Sequence, residues 1–272
     1  MQESQVKDKI VSWENELKLL QKSQLEETID SWLETAFSYI PEELKHNFFQ
    51  QLDTWLFHLQ GIIQESTFQN EAEQRIINTA QIFEPSITSI EQIQTLNLEQ
   101  KSFIANQQMA KQKLYALVQG GMTGIGKYST LAMDIPAFTL LNIRTTQLIA
   151  MSFGYTSKSP MEMVRLLQVY YAATLPKRFQ YERWEQLKQE LKLERDPYFY
   201  PLSEREHPET WIHHPLTHLL KLIFIITVTR KKERLPIVGI VTGASLNHYW
   251  TKQVSTFAHH YFSVRHLAEN EY

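Results

Sequence analysis

Cysteine is missing from all 272 residues, and glycine and proline are sparse, at eight and ten. Without thiols there is no disulfide, no zinc–thiolate centre and no cysteine nucleophile. Scarce glycine and proline argue against an all-β or loop-rich chain, because turns depend on both. Long apolar runs are missing too. No stretch of about 18 uncharged apolar residues occurs, so length does not indicate a spanning helix. The longest uncharged stretch, 235–251, is diluted by Gly, Thr, Ser, Asn and His. The opening "MQESQVKDKI" is polar and lacks the apolar core of a secretory leader. Together these absences predict a soluble cytoplasmic protein.

What is present is enough apolar material for one large domain or two small ones, 43% of residues. Net charge is only −3, but it is unevenly placed. Residues 1–100 carry six Lys/Arg against seventeen Asp/Glu, and 101–272 carry twenty-one against thirteen. An acidic first part and a basic second part can attract each other, or the basic part can face anionic lipid. Nucleic acid is not expected as a partner, because no dense Arg/Lys stripe interleaved with aromatics occurs.

Along the chain, apolar residues recur at helical spacing. Val6, Ile10, Trp13, Leu17 and Leu20 form one stripe, and Leu25, Ile29, Trp32, Ala36 and Ile40 another. Leu44 to Ile62 gives a third, opened by Pro41, and a shorter helix follows around Arg75–Phe83. Residues 99–119 predict a helix running into glycines. Pro136 is expected to open an almost wholly apolar helix, closed by Gly154 as a left-handed cap. An amphipathic helix is expected from Pro160 to about Thr174. Residues 176–215 hold five prolines and many charges, and predict a surface excursion with one charged helix near 180–193. "IFIITVT" has strand propensity, but its neighbours favour helix. The expected fold is all-α: one large multi-helix domain with buried, glycine-containing apolar helices. Within it, 1–69 form N-terminal amphipathic helices and 70–272 the main helical region.

The glycine cluster "GGMTGIGKY" at 120–128 comes within one residue of a phosphate-binding loop. Such a loop needs a Ser or Thr after the lysine to hold magnesium, and a strand before the glycines. Here Tyr128 follows Lys127, and the preceding residues read as helix. No nucleotide or other cofactor is therefore expected. Gly120 and Gly124, like Gly239 and Gly243, stand four apart, a spacing that lets helices approach backbone to backbone. Gly126 completes the cluster.

The segment "QGGMTGIGKYSTLAMDIPAFTLLNIRTTQLIAMSFGY" resembles the EcsC protein family. The resemblance runs through Gly120, Gly124, Gly126, Asp134, Pro136, Arg144, Ala150, Gly154 and Tyr155. The tail from Pro236 also resembles the family, through Pro236, Gly239, Gly243, Ala244, Asn247, Ala258, Tyr261 and Arg265. It covers roughly 70–175 and 215–267. Members are bacterial, and some are encoded beside an ABC-type exporter. The resemblance thus implies an accessory role near such a transporter, in secretion or peptide processing, and carries no established reaction.

Asp134, two residues before Pro136, reads either as a helix-start cap or as the partner of Arg144. A guanidinium on so apolar a helix needs a carboxylate or carbonyl. Asn247 is the third candidate for such a polar cluster. Among the histidines, Pro215 takes His214 out of helical register with His218, and His213 adds no ligand pattern, so no metal site is expected. His259, His260 and His266 are expected at the surface or as caps. Ser129, Ser152 and Ser245 have no nucleophile motif around them. Arg230, Lys231, Lys232 and Arg234 form a basic cluster between apolar runs, fit to meet anionic headgroups on the inner face of the cell membrane. The leading reading is a non-enzymatic, membrane-peripheral accessory protein partnered by ABC transporter subunits. The alternative is a soluble hydrolase using Asp134 with a histidine.

Overall fold

A computed structural model describes residues 3–20, 67–123, 128–157, 159–175, 177–193 and 236–270. Among them the fold is all-α, with seven α-helices, one 3-10 turn and no strand. The helices are α1 (Glu3–Leu20), α2 (Thr67–Ala80), α3 (Leu98–Thr123), α4 (Tyr128–Ser152), α5 (Pro160–Thr174), α6 (Lys177–Leu193) and α7 (Pro236–Asn270). The helices read at 25–40 and 44–62 lie outside the described residues, as do "IFIITVT", Gly124, Gly126 and Lys127.

Local chemistry sets several of the helix ends. At the start of α3, Asn97 and Gln100 bond reciprocally: each side-chain oxygen accepts the other's backbone N–H at 3.0 Å. That is a capping box, and it satisfies two otherwise orphaned donors. Ser159 caps α5 by accepting the Glu162 N–H at 3.1 Å, with Pro160 at the first helical position. The end of α4 bears out the expected glycine cap. Gly154 has φ +90°, the Gly154 N–H donates to the Met151 carbonyl, and Tyr155 N–H reaches back to Ala150. This pair of bonds is a Schellman arrangement. A Cβ at Gly154 would stand 2.5 Å from Gln94 Cγ, so the site excludes side chains twice over.

Two expected boundaries shift. α4 begins at Tyr128, so Pro136 lies inside the helix and does not open it. Proline has no N–H to give to the helical ladder, a local cost that the continuing helix carries. α6 begins at Lys177, and part of the expected surface excursion belongs to the interior. Trp184, Leu187 and Leu191 recur at helical spacing and are buried, leaving the charges outside.

α7 is the axis of the bundle. Its 35 residues span about 52 Å, and it packs along α3, α4 and α5 and touches α6. The expected packing of the 120–155 and 236–267 segments on each other is observed. α3 and α7 run antiparallel: His248 lies beside Lys113, and His266 beside Lys101. That direction brings Gly239 and Gly243, in the first turns of α7, toward the end of α3 that holds the buried Gly120. The main core joins residues of α1, α3, α4, α5, α6 and α7. A second core, built on Ile76, Ile87, Ile90 and Ile93, joins α2 and the 3-10 turn to Leu148 and Met151 of α4.

Candidate functional site

The densest charged chemistry among the described residues lies where the C-terminal end of α7 meets the start of α5. Arg265 donates Nη1 and Nη2 to the two oxygens of Glu162, at 2.7 and 2.8 Å. Its Nε donates to Glu269 at 2.8 Å, and its guanidinium lies 3.7 Å above the centre of the Tyr155 ring. Tyr155 in turn donates its hydroxyl to Glu269 at 2.6 Å, and Arg165 pairs with Glu162 from within α5. A bidentate fork, a ring face and a second carboxylate use every side of the arginine.

The electrostatics follow from that geometry. Burial works to raise the Glu162 carboxyl, but hydrogen bonds and charge from Arg265 and Arg165 outweigh it and hold the group below the usual range. Burial opposes the charge on Arg265 as well, and the Glu162 contacts more than reverse it, so the guanidinium stays ionised. The Tyr155 phenol is pushed up, chiefly by burial.

Next to this knot sits Lys101, only 1% exposed. Burial brings its ammonium down to about 8, against the pull of Glu269. Nζ donates to the Gln94 carbonyl at 2.8 Å and meets His266 Nδ1 at 2.9 Å. Asn270 Nδ2 approaches the same ring nitrogen at 2.9 Å. With the Lys101 ammonium donating to Nδ1, the ring's own proton belongs on Nε2. Gln94 closes the circle, donating to the Gly154 carbonyl at 3.1 Å.

The residues singled out from sequence fall elsewhere. Asp134 and Arg144 lie on one helix, ten residues apart, about 15 Å along its axis. Asp134 does not stand at a helix start, since α4 begins six residues before it. Arg144 is half-buried, and burial lowers its guanidinium. Asn247 is half-buried on α7. Arg230, Lys231, Lys232, Arg234, His213, His214 and His218 lie outside the described residues.

His259 and His260 are not the surface groups expected. His259 is buried against Phe153, ring centres 5.7 Å apart, and His260 stacks on Trp13 at 4.6 Å. Burial holds them neutral, down to about 4 and about 3. Ser152 is tied to its own helix, donating to the Leu148 carbonyl at 2.8 Å. Of the knot, the sequence reading named Tyr155, Arg265 and His266, without linking them. Glu162, Arg165, Glu269 and the neighbouring Lys101 were missed. An acidic residue three after Ser159 signals a capping box, so Glu162 was readable as a cap but not as the arginine's partner.

An all-α bundle whose long last helix is tied by a buried charged knot is the class of protein defined here. The chain matches the EcsC protein family over residues 4–267 and belongs to it. The match extends beyond the two stretches that carried the resemblance. A relative, "Uncharacterized protein YdbA" of Bacillus subtilis (strain 168), is 44% identical over 66 residues, 23% of this chain. That alignment spans 24% of the relative's own length. No solved structure matches.

Proposed function

We propose that the protein is a non-enzymatic, membrane-peripheral accessory protein that acts beside an ABC-type exporter. The observation that carries the non-enzymatic part is the closure of the charged knot. Arg265, Glu162, Glu269 and Tyr155 direct their hydrogen bonds at one another. A reactive centre needs groups aimed at a substrate. These groups are aimed at joining α7 to α5 and to the turn after α4, as a clamp does. Strongly shifted titrations often mark catalytic sites, but paired structural networks such as Arg265 with Glu162 shift them as well.

The exporter link rests on the family, some of whose members are encoded beside such transporters. The peripheral part is compatible with the described helices, none of which is long and apolar enough to cross a membrane. Arg230, Lys231, Lys232 and Arg234 are proposed to face anionic headgroups at the inner face of the cell membrane. The test is crosslinking in cells, followed by purification of the full tagged chain from the membrane fraction. Recovery of transporter subunits carrying a nucleotide-binding domain supports the proposal. A chain found only in the soluble fraction, without those subunits, overturns it.

A further inference from the structure

On the last turns of α3 the usual distribution of side chains is reversed. Gln108 and Gln112 are buried at 2% and 4% exposure, facing the bundle. Leu114, Tyr115, Leu117 and Val118 are exposed at 58%, 47%, 36% and 55%. At 100° per residue these four span about 160° of the helix circumference, a continuous apolar ridge. Single exposed leucines need no explanation, but a contiguous ridge marks a contact surface.

Charge narrows the choice of partner. From Gln100 to Thr123, α3 contains no Asp or Glu. Its cations there, beyond the buried Lys101, are Lys111, exposed one turn before the ridge, and Lys113, half-buried at its edge. α7 has no acidic residue from Pro236 to Ala268, and Lys252 is exposed on it. His248 of α7, at 3.4 Å from the Lys113 carbonyl, brings that half of α7 to the level of the ridge. Exposed Tyr249 follows, with Lys177 Nζ 5.9 Å from its ring centre.

We propose that this ridge of α3, flanked by Lys111, Lys113 and Lys252, is where the protein meets an anionic lipid bilayer. The proposal rests on the membrane-peripheral reading above and assigns the surface to it. A single convex helix face suits a deformable lipid surface. Leucine, valine and tyrosine enter the headgroup boundary while lysine stems lie along it and keep their ammonium groups at the phosphates. A tyrosine at the margin of such a ridge suits the wet edge of that layer.

The test is flotation of the full chain with phosphatidylcholine vesicles, with and without phosphatidylglycerol, at low and high salt. Binding is expected to need phosphatidylglycerol and to weaken as salt screens the lysines. Leu114→Glu with Val118→Glu should lower it at least about tenfold, the loss expected from removing two buried apolar side chains. Lys111→Gln with Lys252→Gln should lower it about tenfold, two charges near an anionic surface. Helical content and melting temperature should stay unchanged, since all four positions are exposed. Wild-type binding by the folded Leu114/Val118 variant overturns the proposal. So does a wild-type chain that binds no vesicle, including one that sediments as a dimer which the same variant makes monomeric. The variant also separates the two readings in cells. If the wild type sediments with membranes and the variant does too, the location stands and this surface falls. If neither does, the location itself has failed.

Discussion

At the scale of single residues, the knot makes unequal demands on its members. Arg265→Met leaves Glu162 largely buried without its bidentate partner and should cost about 3 kcal/mol in chemical denaturation. Glu269→Gln removes a half-exposed carboxylate and should cost no more than about 1 kcal/mol. Equal losses would mean that the bidentate pair is not the main joint. The buried His259 and the half-buried His260 give a pH signature. Their folded values, about 4 for His259 and about 3 for His260, lie below the ordinary 6.5. Below 6.5 the unfolded chain therefore binds more protons than the folded one, and acid destabilises. Between pH 6 and 5, above most carboxylate titration, stability should fall with a slope approaching about 2.7 kcal/mol per unit, two protons' worth. A His259→Gln, His260→Phe variant should flatten that stretch of the curve. A wild-type curve that is already flat there would mean that both rings titrate normally.

At the scale of elements, much was legible because it is written in local spacing. The stripe Val6, Ile10, Trp13 and Leu17 is a helix, and the Pro160–Thr174 boundaries coincide with α5. The cap at Gly154 was readable because a helix end wants positive φ, and the structure adds the collision with Gln94. Gly154→Ala should therefore cost at least about 2 kcal/mol, from a strained φ plus a displaced turn. Thermal unfolding reads this, and an unchanged melting temperature would remove the crowding argument. What spacing could not show was continuation. A proline that begins helices elsewhere lies inside α4, because neighbouring turns outweigh one missing hydrogen bond. The same continuity separates Asp134 from Arg144. Most of the knot was hidden for a different reason. Glu162 and Arg265 are 103 residues apart, and only the packing of α7 on α5 brings a cap residue under a guanidinium.

At the scale of the whole molecule, one question is whether the acidic N-terminal part is a separate unit or part of one body. Its first helix, α1, contributes Val6 and Ile10 to the main core. Trp13 lies edge-on to Trp184 at 4.9 Å and to Phe257 at 5.4 Å. Glu14 accepts from both Trp184 Nε1 at 2.6 Å and Lys188 Nζ at 2.8 Å. Glu14 of the N-terminal part thus meets a cation of the second part within the same chain. A helix held by three aromatic contacts and shared core residues should unfold with its neighbours. Tryptophan fluorescence and far-ultraviolet circular dichroism should then report one coincident denaturant transition. Trp13→Ala should move that transition as a whole, by about 2–3 kcal/mol for a large, partly buried ring. If α1 were instead an independent attachment, the variant would give two transitions. Hydrogen exchange would then show residues 3–20 opening while α7 stayed protected. That outcome would favour a boundary near residue 69, with the N-terminal helices as a unit of their own.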